Sequence, residues 1–327
     1  MNIFLEIAVL SYNRTIELER TLSSLAGIYR DDVRVCIYED CSPNQKLIEN
    51  ICNRYVGKLS IPLEFKPAPA NLGYDKNLIR ALSSRADYVL LLSDDDYIVP
   101  EFIDEAVNFL REGQPDVAIS PFTKRRNQYR AGSHYAGKYT IDVLYDSVLF
   151  SGLAFKTAAI NLTNDEVFFL SKSIYSQVYL VGKHWNNICG YFGSPLIVAG
   201  EDGENYFGLS DVSSDMKELV DRDSLMSNLY YQENLQRVTV HCLNNFHPTL
   251  IQHFRVNYSR RLVSHFLRVR LNTGLINYIK AVLELSRIKV KYSRIYIIPI
   301  LSFVLFPQMF LRPIYDFLIR KFRVSGG

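Results

Sequence analysis

Cysteine is scarce in this 327-residue chain. The five present (Cys36, Cys41, Cys52, Cys189 and Cys242) make an odd number without a C-x-x-C pair. That spacing excludes a disulfide framework and a cysteine zinc site, and it points to reduced thiols in the cytosol. Glycine is missing from Leu10-Ser11-Tyr12-Asn13-Arg14, which closes the first strand-like run, Ile3–Leu10. No G-x-G-x-x-G follows that run, so a dinucleotide-binding dehydrogenase is excluded. A nucleotidyltransferase is disfavoured as well, because it needs a glycine-rich basic loop at the same place. No basic stretch leading into an apolar one precedes Ile3, so no signal peptide is expected and the surface should face the cytoplasm. Acids are nearly absent from residues 251–327, which hold 14 Lys and Arg against Glu284 and Asp316 alone. The charge-free run Ile295–Leu311 has 17 residues. It is short for a membrane span and is interrupted by Pro299 and Pro307.

Apolar residues make up 48 % and charged residues 22 % of the chain. These proportions exclude a disordered or fibrous protein and allow a core without staples. Twenty-two Tyr and 19 Phe against one Trp suit a protein that grips flat or sugar-like ligands, although aromatics mostly fill cores. The length fits about two units. The net charge of +3 divides into +12 on residues 251–327 and −9 on the rest. A basic tail on an acidic body points to phosphate, on lipid headgroups or nucleic acid.

Residues 1–120 alternate strand and helix. Strands are expected at Ile3–Leu10, Val33–Tyr38, Leu63–Lys66, Tyr88–Leu92 and Val117–Ser120, and helices at Thr15–Ala26, Tyr74–Ser84 and Pro100–Arg111. Ser42-Pro43-Asn44-Gln45 opens a further helix, with Ser42 as its cap, Pro43 in the first turn and Gln45 three residues on. Repeated βα units with apolar strands predict an α/β fold, a mostly parallel sheet flanked by helices. Ligands bind such sheets at the carboxyl ends of the strands. Residues 121–250 are less regular and polar, as expected of a substrate-facing half of the same domain. Residues 251–327 read as a C-terminal region of basic amphipathic helices.

The sharpest motif is Ser93-Asp94-Asp95-Asp96, directly after Tyr88–Leu92. Adjacent carboxylates at a buried strand end repel one another. A divalent ion such as Mn²⁺ or Mg²⁺ shared with a ligand diphosphate resolves the repulsion. The plainer alternative is an acidic turn capping the helix at Pro100. The other strand ends carry Ser11, Tyr12 and Arg14, then Asp40, then Asn71 and Gly73 with Lys76 and Asn77 on the following helix. Asp40 suits the N3–H or amino edge of a pyrimidine, Tyr12 can stack on a base, and Arg14 and Lys76 supply positive charge. Singly each is weak; at successive strand ends they form one nucleotide-sized pocket.

Taken together, Ile7-Ala8-Val9-Leu10-Ser11-Tyr12-Asn13-Arg14, Glu39-Asp40-Cys41-Ser42, Asn71-Leu72-Gly73 with Asn77, and Ser93-Asp94-Asp95-Asp96-Tyr97 with Pro100 resemble glycosyltransferase family 2. The likeness is strong over residues 3–110 and thins towards 205; the O-antigen and capsular-polysaccharide branch is nearest. The resemblance implies the GT-A, Rossmann-like fold, with residues 1–120 as a nucleotide-sugar-binding half and 121–250 as an acceptor-binding half. It implies that Asp40 reads the base and that the acidic cluster holds ribose and metal. Ser93 replaces the first Asp of the commoner Asp-x-Asp-Asp form. That register makes Asp95 the main metal ligand and puts Asp94 nearer the ribose, whereas the literal Asp94-x-Asp96 reading brings in Asp96. Ser151-Gly152-Leu153-Ala154-Phe155 resembles the family's small-residue segment beside donor sugar and acceptor; read plainly, it is a buried strand. The acidic pair that follows in the family, about 25 residues on, would fall here on Ser176-Gln177, which has no acid. Asp165-Glu166 and Glu201-Asp202 lie nearby. Asp202, with Glu201, is the preferred base, since its Gly-flanked turn allows close approach to substrate. His184, His241 and His247 are candidate metal partners, though a lone histidine is more often structural.

The reading is a metal-dependent hexosyl- or deoxyhexosyltransferase. It moves a sugar from a UDP- or CDP-sugar to a hydroxyl of a lipid-linked polysaccharide intermediate, with inversion. A retaining enzyme and an inactive glycan-binding or scaffolding subunit are the alternatives. The basic tail, with Tyr292, Tyr296 and Tyr315 at headgroup depth, is expected to bind an anionic membrane as a monotopic anchor on the cytoplasmic side of the bacterial inner membrane. Packing of its apolar run as core, or as a homodimer interface, is the plainer alternative. Nucleic acid is not expected as a partner, because Ile295–Leu311 would read a groove poorly.

Overall fold

The computed structural model describes residues 3–121, 141–171, 173–184, 189–200, 234–242, 274–285 and 297–324, with single positions between 252 and 271. The chain divides into two compact units, Met1–Ser213 and Ser214–Gly327.

In the first unit the apolar runs become strands as the patterning predicts. They are β1 (Leu5–Ser11), β2 (Val33–Glu39), β3 (Leu63–Pro67) and β4 (Tyr88–Ser93), alternating with helices α1 (Ile16–Ser24), α2 (Gln45–Tyr55) and α3 (Tyr74–Leu82). Next come β5 (Asp96–Ile98), α4 (Ile103–Gly113), β6 (Val117–Ile119), α5 (Ile141–Asp146) and β7 (Leu153–Lys156). The last elements are α6 (Asn164–Leu170), α7 (Ser176–Lys183), β8 (Cys189–Tyr191) and β9 (Ile197–Ala199). Seven strands form one sheet in the order β3-β2-β1-β4-β7-β6-β8, and among these described strands β7 alone runs antiparallel to its neighbours. A separate antiparallel pair joins β5 to β9, with Asp96 opposite Ala199. The mostly parallel sheet flanked by helices is therefore the observed fold.

Every residue of β1 is buried, since helices cover both faces of the sheet. The core packs Ile7, Val9, Val35, Ile37, Leu90 and Leu92 against Leu18 and Leu22 of α1 and Val107 and Leu110 of α4. Strand order runs outward from β1 in one direction to β3 and in the other to β4. The topological switch point therefore lies between β1 and β4, and the carboxyl ends of these strands are where ligands bind in sheets of this kind.

Two expectations need correction. Ser42 does not cap α2: the helix starts at Gln45 after Asn44, without a side-chain cap, and the Ser42 hydroxyl is used elsewhere. The helix expected from Pro100 opens as a short 3₁₀ turn, Pro100–Phe102, before α4.

In the second unit, residues 234–242 are helical, followed by α8 (Leu275–Leu285), α9 (Ile297–Ser302) and α10 (Gln308–Val324). The run Ile295–Leu311 is thus broken between Ser302 and Gln308, next to Pro307, whereas Pro299, expected to interrupt it as well, lies in the first turn of α9. Among the described residues no helix is long and apolar enough to cross a membrane.

Candidate functional site

The loops at the carboxyl ends of β1, β2 and β4 and the loop before α3 are tied together by side chains that bond to backbone. Asp94 is buried at the end of β4. Its Oδ2 accepts from the Tyr12 N–H at 3.2 Å and its Oδ1 from Arg14 Nη1 at 3.0 Å. The same Arg14 nitrogen reaches Asp95 Oδ2 at 3.0 Å. Thr21 of α1 holds the turn from below, its hydroxyl lying 2.8 Å from the Asp94 carbonyl and 3.0 Å from that of Asp96. Asn13 adopts φ +56°, rare for a residue with a side chain. Its N–H donates to Ser42 Oγ at 2.7 Å, and its Oδ1 accepts from Asn44 at 2.8 Å. This bond to the β1 loop is where the Ser42 hydroxyl goes.

Glu39 fixes the turn after β2. Its carboxylate accepts from the N–H groups of Cys41 (3.0 Å) and Ser42 (2.6 Å) and from Gln45 Nε2 (2.8 Å), stabilising Cys41 at φ +55°. Asp40 is buried beside it. Its N–H donates to the Ser11 carbonyl, and its two oxygens accept from Leu72 N–H at 2.8 Å and Gly73 N–H at 2.9 Å. Burial pushes the Asp40 carboxyl above its ordinary range, against those two backbone donors. Each oxygen retains a second lone pair. Gly73 sits at φ 77°, ψ 162°, open only to glycine. Asn71 Oδ1 accepts from the Gly73 N–H, Asn77 bonds the Tyr38 carbonyl from within α3, and Lys76 is exposed.

The three acids of the cluster part company. Asp96 is buried and accepts from Ser151 Oγ at 2.5 Å and from the Gly200 N–H at 3.4 Å. Ser151 in turn accepts from the Ser93 N–H at 3.0 Å. The small-residue segment is thus bonded to the cluster through Ser151, and it is also a buried strand, since Leu153–Lys156 forms β7. Gly200 lies against Asp95: a Cβ there would stand 1.8 Å from the Asp95 carbonyl oxygen. Burial lifts the Asp94 carboxyl, Arg14 draws it down, and the adjacent Asp95 charge lifts it further, to about 7. Asp95 is the most accessible of the three, and Arg14 is its ion-pair partner among the described residues.

No three of His, Cys, Asp and Glu converge on one point among the described residues. A self-contained metal cage is therefore not built from them. A divalent ion shared with a nucleotide diphosphate needs only one or two protein carboxylates. Asp95, with Asp94 beside it, fits that smaller set, and Asp96 is buried behind them against Ser151 and the Gly200 N–H.

Sequence reasoning missed a second layer. Asp75 of α3 is buried and accepts from Ser173 Oγ, Ile174 N–H and both the N–H and Oγ of Ser176, clamping the start of α7. It steadies Ile174 at φ +55°, a costly angle for a β-branched residue. Gln177 is buried with both ends of its amide engaged: Oε1 accepts from Tyr74 OH at 3.0 Å and Nε2 donates to the Val148 carbonyl at 2.9 Å. Only the departure from an acid at Gln177 was visible in the sequence.

The remaining candidates scatter. Glu166 belongs to a capping box with Thr163 and is paired with Lys183. His184 lies beside Asp116, at the start of β6 and so at the opposite end of the sheet. His241 is exposed on the helix 234–242 of the second unit. Glu201, Asp202 and His247 lie outside the described residues.

The glycosyl transferase family 2 model matches residues 6–169. An uncharacterized glycosyltransferase of Haemophilus influenzae is 28 % identical over 109 residues, 33 % of this chain and 35 % of that protein. The match thus spans about a third of the curated relative. The mannosyltransferase PcManGT of Pyrobaculum calidifontis, solved with GDP-Man and Mn²⁺, aligns over 93 % of this chain and 86 % of its own with a TM-score of 0.55 at 10 % identity. A fragment of S. aureus TarS aligns over 72 % of this chain and 81 % of its own, with a TM-score of 0.50 at 17 % identity. These two likenesses are of fold. The family model covers half of the chain and takes in all four interlocked loops, and by it the chain belongs to glycosyltransferase family 2.

Proposed function

We propose that the chain transfers a sugar from a UDP- or CDP-sugar to a hydroxyl of a lipid-linked glycan, with inversion, on the cytoplasmic face of the membrane. The observation that carries this reading is the interlock of the strand-end loops through Asp40 and Asp94 at the switch point. It supports a nucleotide site with Asp40 as the base-side carboxylate and Arg14, Asp94 and Asp95 as the phosphate-side group. Asp40 accepts from a pyrimidine edge with its remaining lone pairs, and Tyr12 stacks on the base. Lys76, exposed on α3, attracts the diphosphate. Asp95 and Asp94 would hold Mn²⁺ or Mg²⁺, which when bound would supply charge neutralisation at the departing diphosphate. Arg14, which pairs with both carboxylates, exchanges them for phosphate oxygens when the donor binds.

Asp202, with Glu201 at its side, takes the acceptor proton. Three observations favour it over the alternatives. Gln177 stands where the family resemblance implies an acid, and both ends of its amide are hydrogen-bonded. Glu166 is committed to Lys183 and Tyr179. Asp202 follows Gly200 by two residues, within about 7 Å of chain, and Gly200 bonds Asp96. The test is nucleotide release from UDP-, CDP-, dTDP- and GDP-sugars, with Mn²⁺ and with EDTA. Release from a uridine or cytidine donor that EDTA abolishes is expected. Full activity in EDTA, or binding without turnover of any donor, refutes the reading.

A further inference from the structure

The second unit has a core of its own, and the residues left outside it are the unusual part. Tyr278 and Ala281 of α8, Ile300 of α9, Phe303 and Leu311 are buried together. The break between α9 and α10 is built in. Arg270 donates from Nε to the Phe303 carbonyl at 3.2 Å and from Nη2 to the Phe306 carbonyl at 3.4 Å, and the Tyr278 hydroxyl reaches the Ile300 carbonyl at 2.7 Å. Pro307 lacks the N–H that the Phe303 carbonyl would take, and the break turns the donors of the other two carbonyls elsewhere; all three are thus satisfied inside the unit, as an apolar setting requires.

The outward faces are apolar as well. On α8, Ile276, Ile279 and Leu283 repeat at helical spacing opposite Tyr278 and Ala281, with Lys280 beside them. Leu305, in the break, is 81 % exposed. On α10, Phe310 and Phe317 lie one stripe away from buried Leu311, with the Arg312–Asp316 pair on the flank. Isolated exposed apolar residues are ordinary; stripes on consecutive helices mark a surface that is covered in use.

The charge selects what covers it. Residues 251–327 carry 14 cations and two acids. A second copy brings the same surplus to the contact and is repelled. An anionic bilayer attracts each nearby cation by about 1 kcal/mol. Helix α8 has 11 residues, and α10 contains Pro313. Lengths of that order lie in the headgroup plane and do not cross it. We infer that the outward apolar face of α8, the α9–α10 break and α10 seats this unit in the interface of an anionic phospholipid bilayer. The expectation for the tail is thereby sharpened: Ile300, Phe303 and Leu311 of the run Ile295–Leu311 form core, whereas Ile298, Leu301, Leu305, Phe306, Met309 and Phe310 of the same run are exposed and join the outward side chains of α8 and α10. Seating in the bilayer stands apart from sugar transfer, since it needs neither donor nor acceptor.

The test is flotation of the full chain with phosphatidylcholine vesicles, with and without phosphatidylglycerol. The expected result is flotation with the anionic vesicles, weakened by high salt. Phe310→Ser with Phe317→Ser should keep the helical circular dichroism and lose about tenfold in partition or more. A Phe317→Trp variant should show a blue-shifted emission component quenched by brominated lipid. The inference is overturned if the full chain does not float, if the double variant floats equally, or if vesicles leave the emission of the Phe317→Trp variant unchanged. A dimer in lipid-free solution that the double variant splits, with no flotation, overturns it in favour of contact between copies.

Discussion

Glu166 at the start of α6 and Asp94 at the end of β4 are both carboxylates tied to a cation, and they are held in opposite ways. Glu166 accepts from the Thr163 N–H at 2.8 Å, from Tyr179 OH at 2.6 Å and from Lys183 at 2.8 and 3.0 Å. Burial raises its carboxyl, but Lys183, Tyr179 and the Thr163 N–H outweigh it and bring it down to about 2. At Asp94 full burial, with Asp95 next door, outweighs Arg14, the Ser11 hydroxyl and one backbone donor, which draw it down, and the carboxyl stands at about 7. One acid is satisfied and stabilises its region. The other is kept under electrostatic stress that an incoming cation or donor relieves, as expected of groups that bind and react. The difference separates the two uses of a carboxylate in this fold, although each sits beside another acid in the sequence.

The largest effect that tests this contrast is at Asp95. Asp95→Ala should lower metal-supported nucleotide release by at least about 10³-fold. It should leave the thermal midpoint unchanged or higher, because a repelling charge is gone. A lowered midpoint with retained turnover would place Asp95 with the structural acids. Next is Asp202→Asn, expected to cut turnover by about 10²-fold or more with donor KM nearly constant, in a steady-state comparison. A loss confined to donor KM would move this residue to the donor side. Asp94→Asn should cost about 10²-fold in release while the fold gains stability above neutral pH. The sign follows from its raised value: a carboxyl that holds its proton up to about 7 makes folding less favourable as pH rises from about 3.8 to 7. Thermal melts of both proteins at several pH values between 4 and 8 measure it.

The smallest effect is at Glu166. Glu166→Gln should leave turnover within about two-fold and lower the midpoint by about 2–4 °C. Its depressed carboxyl contributes stability above its ordinary value of about 4.5, and that contribution is lost as pH falls towards 2. Wild type and variant should therefore converge in acid melts, whereas parallel curves would deny Glu166 its clamping role.

Much of this contrast was hidden in the sequence. Apolar runs such as Tyr88–Leu92 announce strands because only burial on both faces favours them, and the acids just past their ends were legible as a site. What an acid touches was not. Asp94 meets Tyr12 across 82 residues of chain, and Asp75 meets Ile174 across 99. Such pairings depend on sheet order, which local patterning does not carry. Glu6 illustrates the same limit inside a run that reads as apolar. It is fully buried in β1, where Tyr38 OH at 2.6 Å, Ser84 at 2.7 Å and Arg34 at 2.8 Å offset its desolvation. Ser42 departs from its expected cap because an N-cap and a bond to a neighbouring loop draw on the same hydroxyl, and the loop holds it.

Gly200 constrains the acidic turn from the far side. Its φ lies outside the left-handed region, so its backbone asks for nothing unusual, and contact alone forbids a side chain. Only a hydrogen atom fits between it and the Asp95 carbonyl. A library randomised at this codon and selected for activity should return glycine almost alone, and alanine should behave as a large residue. The position works as a gauge block: it sets the clearance between the turn that carries Asp95 and the strand that leads to Asp202. Whatever moves one of them must first move the other.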